Sequence, residues 1–116
     1  MNRSCCNIYI FISLLSLFIA SACTKAPKGA PGPNEIWLQY KSFNPSTISV
    51  KAGTTVTFIN KDNADHWAKG SNGLFSSGKI SSGDSYSYTF TTVGTFGFYC
   101  PYHSSVPAEQ GYINVQ

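Results

Sequence analysis

The stretch Gly94-Thr95-Phe96-Gly97-Phe98-Tyr99-Cys100-Pro101-Tyr102-His103 decides how this chain folds. Phe96, Phe98 and Cys100 alternate with Gly97 and Tyr99, the two-residue period of a β-strand with one face toward a core. With both phenylalanines pointing inward, the Cys100 sulfur also points inward, at the end of the strand and shielded from water. Pro101 then opens a tight loop that carries His103.

Outward from this strand the same period recurs at Ile36, Leu38 and Tyr40; Ile48 and Val50; Val56 and Phe58; Tyr86, Tyr88 and Phe90; and Ile113 and Val115. Turn-forming residues separate the runs: Asn44-Pro45, Ala52-Gly53, Lys61-Asp62-Asn63, Ser71-Asn72-Gly73, Ser82-Gly83-Asp84 and Val93-Gly94. No stretch carries a helical stripe and no internal repeat appears. The pattern predicts an all-β domain over residues 35–116, an antiparallel sandwich or a Greek-key barrel of about seven to eight short strands.

The rest of the chain of 116 residues reads as export and attachment. Arg3 precedes an uncharged apolar run over residues 8–20, shorter than the roughly 20 residues that span a bilayer. Residues 1–23 are therefore expected to be a signal peptide. Ala20-Ser21-Ala22-Cys23 resembles the lipobox of bacterial lipoproteins, which implies lipidation of Cys23; cleavage after Ala22 by an ordinary signal peptidase fits the same residues. Residues 24–34, with Pro27, Pro31, Pro33, Gly29 and Gly32, read as a tether reaching up to roughly 30 Å in an extended form. The expected location is the bacterial cell envelope, in the periplasm, anchored to a membrane by lipid.

The chain has four cysteines and a formal charge of +3. Cys5 and Cys6 leave with the leader, and on the lipidation reading Cys23 is taken by lipid, so Cys100 is then left without a disulfide partner. A lone thiol in an oxidising compartment calls for burial or coordination. His103, three positions on, and His66, just past the strand expected at residues 55–60 in a connection running to about Gly73, supply two imidazoles. One thiolate and two imidazoles suit copper in both oxidation states. Zinc is the alternative metal, since Cys100, His66, His103 and Glu109 could close a tetrahedron. The lysines are scattered, so no nucleic-acid footprint appears.

Four further segments join the first: residues 43–60, from Phe43-Asn44-Pro45 through Val50-Lys51-Ala52-Gly53 to Phe58-Ile59-Asn60; Asp62 followed by His66; Phe75-Ser76-Ser77-Gly78; and Gly83-Asp84-Ser85-Tyr86-Ser87-Tyr88-Thr89-Phe90. With residues 94–103 and Gly111-Tyr112-Ile113-Asn114-Val115, the domain resembles a small blue-copper protein, a cupredoxin of the plastocyanin, amicyanin and pseudoazurin kind. The resemblance implies one type 1 copper held by His66, Cys100 and His103, with His103 at the surface as electron exit. It departs at the axial position, where the family has methionine and this domain has none. Counting back from Ile113 points to Glu109, counting forward from His103 points to a non-coordinating Val106, and Gln110 is a third candidate. Trp67 is also unusual, standing where the family often has a small polar residue; it would shield the metal or cap the core.

The function expected from these residues is a single-electron copper carrier, a monomer and not an enzyme, meeting redox partner proteins near His103 on a patch of Tyr102, Val106 and Pro107. Two other classes compete: a periplasmic copper capture or delivery protein, and a metal-free β-sandwich interaction module. A Cys-His hydrolase fits poorly, because Cys100 precedes a proline loop and no helix N-terminus activates it.

Overall fold

The computed structural model describes residues 8–10, 18–20 and 29–116. It forms two units, residues 1–30 and 31–116. Within the first, β1 (Ile8–Ile10) pairs antiparallel with β2 (Phe18–Ala20). Most of the expected signal peptide, the expected lipidation site at Cys23 and residues 24–28 of the expected tether lie outside the described residues. No helix among the described residues is long and apolar enough to cross a membrane.

The second unit is a sandwich of nine strands. They are β3 (Glu35–Gln39), β4 (Ser42–Asn44), β5 (Thr47–Val50), β6 (Thr54–Asn60), β7 (His66–Gly70), β8 (Ser76–Ile80), β9 (Ser85–Phe90), β10 (Gly94–Tyr99) and β11 (Gln110–Val115). One sheet has the order β5-β11-β10-β7-β8 and the other β4-β3-β6-β9.

Both sheets are mixed rather than antiparallel. β3 pairs parallel with β6, Ile36 opposite Phe58, and β5 pairs parallel with β11, Ile48 opposite Ile113. Side-chain alternation is blind to strand direction, so the expected antiparallel arrangement needed this correction. The parallel pairs arise because parallel neighbours require a crossover. Here the chain leaves β3, lays β4 beside it and β5 in the opposite sheet, and only then returns as β6.

Three strands escaped the alternation pattern. β4 is three residues long, and β7 and β8 carry lysine, glycine and serine where apolar residues mark the other strands. Tyr40 is a further correction. It sits in the turn after β3 with its ring in solvent, because Lys41 at φ 54° ends the strand.

Elsewhere alternation and burial agree. Ile36 and Leu38 on β3, Val56 and Phe58 on β6, and Ile113 and Val115 on β11 are all buried. Phe58 from one sheet meets Phe98 from the other edge to face at 5.3 Å, and Phe43 stacks on Phe98 at the same separation. Phe75 joins them by stacking on Phe58 at 5.7 Å and Tyr88 at 5.2 Å. Such pairs add roughly 0.5–1.5 kcal/mol each beyond the area they bury. This aromatic column packs β10 against the opposite sheet through Phe98.

Candidate metal centre

Three separate segments meet at one end of the sandwich. The first is the connection from β6 to β7. Asn60 closes β6 fully buried, donating from Nδ2 to the carbonyls of Ala64 and Ile80, both at 2.8 Å, and accepting the Asp62 amide at Oδ1 at 2.8 Å. That side chain organises residues 60–66. It delivers His66 to the first position of β7, which corrects the expectation of an irregular connection there. His66, Ala68 and Gly70 then point inward, and the pairing with β8 shifts register between Trp67 and Lys69. Irregularities of this kind re-aim side chains beside functional sites.

The second segment is the end of β10, where Cys100 is fully buried as the alternation requires. It is the free cysteine among the described residues. Burial raises its thiol pKa above the ordinary range; the amides of Trp67 and Tyr102 oppose this, Glu109 reinforces it and the His103 amide opposes it again.

The third segment is the loop from Pro101 to Glu109, two short 3-10 turns. The amide of His103 donates to the Cys100 carbonyl at 3.0 Å, that of Val106 to His103 at 2.8 Å, and that of Glu109 to Val106 at 2.9 Å. Each turn advances three residues, so the loop sets positions 100, 103, 106 and 109 in a repeating relation. Glu109 also shares parity with the inward residues Gly111, Ile113 and Val115 of β11, and is 1% exposed. Gln110, of opposite parity, is exposed, and Val106 is half-buried.

One ligand atom each from His66, Cys100, His103 and Glu109 lies within 4.8 Å of the others. Glu109 Oε1 stands 3.2 Å from His66 Nδ1 and 3.0 Å from His103 Nδ1, and the Cys100 sulfur is 3.5 Å from His103 Nδ1. Metal bonds of about 2.0–2.3 Å span donor separations of this size. Glu109 Oε2 is buried with no hydrogen-bond partner, which leaves a carboxylate oxygen free for a cation. A soft thiolate, two imidazoles and one carboxylate therefore fit a copper ion. The two imidazoles differ in access: His66 is 1% exposed and His103 34%.

Trp67 takes the core-capping role. It packs against the core, donates from Nε1 to Ser76 Oγ at 2.9 Å, and meets Tyr102 edge on at 5.5 Å, tying β7 to the loop that carries His103. Asp62 is the neighbour of the site that residue-type reasoning left without a role. Its Oδ2 accepts from His66 Nε2 at 2.9 Å, and the signal for it was the four-residue spacing to His66.

Fold and site together define a small all-β protein in which one cysteine, two histidines and a glutamate converge where a metal ion could be held. The model of the cupredoxin-like domain matches residues 10–113, and the chain belongs to that family. A plastocyanin of Scenedesmus fuscus is 32% identical over 90 residues, 64% of this chain and 86% of that protein. Among solved structures, a purple cupredoxin from Nitrosopumilus maritimus superposes with a TM-score of 0.61 at 26% identity, covering 71% of this chain and 98% of that one. An oxidised methionine-to-leucine mutant of amicyanin gives 0.64 at 25% identity, covering 79% and 87%. Copper is the cofactor that this family and this donor set imply, and electron transfer the chemistry.

Proposed function

We propose that the chain is a single-electron carrier of the bacterial cell envelope, with one copper held by His66, Cys100, His103 and Glu109, and with Cys23 as its lipid attachment point. The convergence of those four donors from three segments carries the reading. Bound copper supplies a one-electron couple between Cu(II) and Cu(I). The protein's part is to hold the donors still. Cys100 ends the strand that Phe98 packs into the core, His66 is buried and bonded to Asp62, and Glu109 is buried beside them, so little has to move when the charge changes.

His103 is the exit. Its ring reaches solvent beside Tyr102, which is 47% exposed, and beside Val106 and Pro107. This patch is uncharged and suits brief contact with a redox partner. The carrier reading assigns no reaction to the domain, so it is not an enzyme. The leader-like run at residues 8–20 and the small residues before Cys23 support the envelope location.

The deciding test is to purify residues 24–116, add Cu(II), and record visible and EPR spectra beside Cys100→Ser. An intense thiolate-to-copper band that vanishes in the variant is the expected result. A colourless wild-type protein would return the site to zinc or to no metal at all.

A further inference from the structure

We propose that Asp62 is the positioning residue of the copper centre, holding the His66 ring through Nε2 so that Nδ1 faces Cys100, His103 and Glu109. The inference rests on the reading of His66 as a copper ligand, and it concerns what stands behind that ligand.

Both oxygens of Asp62 are committed. Oδ1 accepts the Asn63 amide at 2.7 Å, and Oδ2 accepts from His66 Nε2 at 2.9 Å. The backbone of Asp62 is held in turn by Asn60, through the bond from its amide to Oδ1. The carboxylate is thus fixed from two sides, and it fixes the ring. With Nε2 occupied, the nitrogen left for a metal is Nδ1, which faces Glu109 Oε1 at 3.2 Å.

The charge of Asp62 adds a second effect. A carboxylate behind a ligating imidazole raises the basicity of the ring, and such partners set metal affinity by 10–100-fold. The negative charge favours the more highly charged state of the metal. Asp62 therefore biases the couple toward Cu(II), from a position nearer solvent than the ligand it serves.

The two contributions separate in two variants of the full chain. Asp62→Asn keeps a carbonyl oxygen for Nε2–H and drops the charge; Asp62→Ala removes both. In Asp62→Asn the thiolate-to-copper band is expected to persist, while the ratio of Cu(II) to Cu(I) affinity falls about tenfold, a rise of about 59 mV in potential. In Asp62→Ala Cu(II) affinity should fall further, and the His66 Nε2–H proton, observed by NMR in the diamagnetic Cu(I) form, should lose its protection from exchange. An unchanged potential in both variants beside an intact band would overturn the proposal. A wild-type chain with no such band would overturn the copper reading beneath it.

Discussion

The backbone amide of Cys100 donates to the carbonyl oxygen of Glu109 at 3.2 Å, closing a loop of nine residues' sequence separation back on its own start. The same bond extends the β10–β11 ladder by one step beyond Tyr99 and Gln110. A thiol and a carboxylate thus occupy neighbouring strand ends, and the loop between them has no freedom to exchange Glu109 for Gln110. The main chain thus brings Glu109, and neither Gln110 nor Val106, beside the thiol and the two imidazoles.

Glu109→Leu should raise the reduction potential. An anionic oxygen near copper favours Cu(II), so its removal is expected to lower the Cu(II)-to-Cu(I) affinity ratio at least about tenfold, or about 59 mV for a one-electron couple. Protein-film voltammetry measures this, and the EPR hyperfine splitting should change with it. An unaltered potential and spectrum would show that the carboxylate does not touch the metal.

The stability of the metal-free protein should fall as pH rises above about 8.5, the ordinary thiol value. Burial, first among the causes, keeps the Cys100 proton bound more tightly in the folded state than in the unfolded one. The folded-state pKa is raised, so this contribution is complete below the unfolded pKa and is lost as pH climbs toward the folded one, at a slope of at most about 1.4 kcal/mol per pH unit. Tyr86, raised chiefly by burial and then by neighbouring Tyr88, acts with the same sign at higher pH. Urea midpoints at pH 7.5 and 10 should therefore converge in Cys100→Ser, leaving the tyrosine component. Copper uptake must displace the thiol proton, so apparent affinity should rise over the same range.

Asn60→Ala removes the donor to two carbonyls and the acceptor of one amide at a fully buried position. Leaving such groups unpaired costs about 1–3 kcal/mol each, and partial rescue by water sets the expected loss near 3 kcal/mol. Because the loop carrying Asp62 and His66 loosens, copper should also leave faster to a chelator. Wild-type stability in urea would mean that the loop is held by its backbone turns alone.

Gly111→Ala tests how tightly β11 is packed. A Cβ at this position would overlap the Ser46 carbonyl oxygen and lie 2.7 Å from the Phe98 ring. Since Phe98 is the centre of the aromatic column, the strand has to shift, at a cost of about 1–3 kcal/mol. Glu109 precedes β11 and should move with it, weakening copper binding in parallel with the melting temperature.

Partner encounter should depend on the apolar surface around His103 more than on the lysines. Val106→Asp is expected to slow electron transfer to a partner by about tenfold, whereas Lys69→Glu and Lys79→Glu should each change it by less than about twofold at physiological ionic strength. A steep salt dependence of the wild-type rate would point to electrostatic docking instead.

Much of this architecture was legible in the chain because side-chain alternation is a local property. Phe96, Phe98 and Cys100 announce a strand with an inward thiol, whereas Glu109, Val106 and Gln110 stay open as its neighbours until the loop is folded. The strands that hid are those whose stability is not local. β7 and β8 carry few apolar residues, and their pairing depends on Asn60 bonding to Ile80, Ser77 Oγ accepting the Ala68 amide, and Phe75 filling the space above Gly70.

Sequence by itself determined the chemistry: one thiol, two histidines, a domain without methionine, and a frame of alternating residues to carry them. Tertiary structure alone decided direction, choice and support. It set the parallel pairings of β3 with β6 and β5 with β11, brought Glu109 rather than Val106 or Gln110 beside the cysteine and the two histidines, and placed Asp62 behind His66. The reason is the same in each case. Residue type fixes which atoms can bond, whereas the partner of a buried donor is chosen only when segments far apart in the chain compete for the same few ångströms.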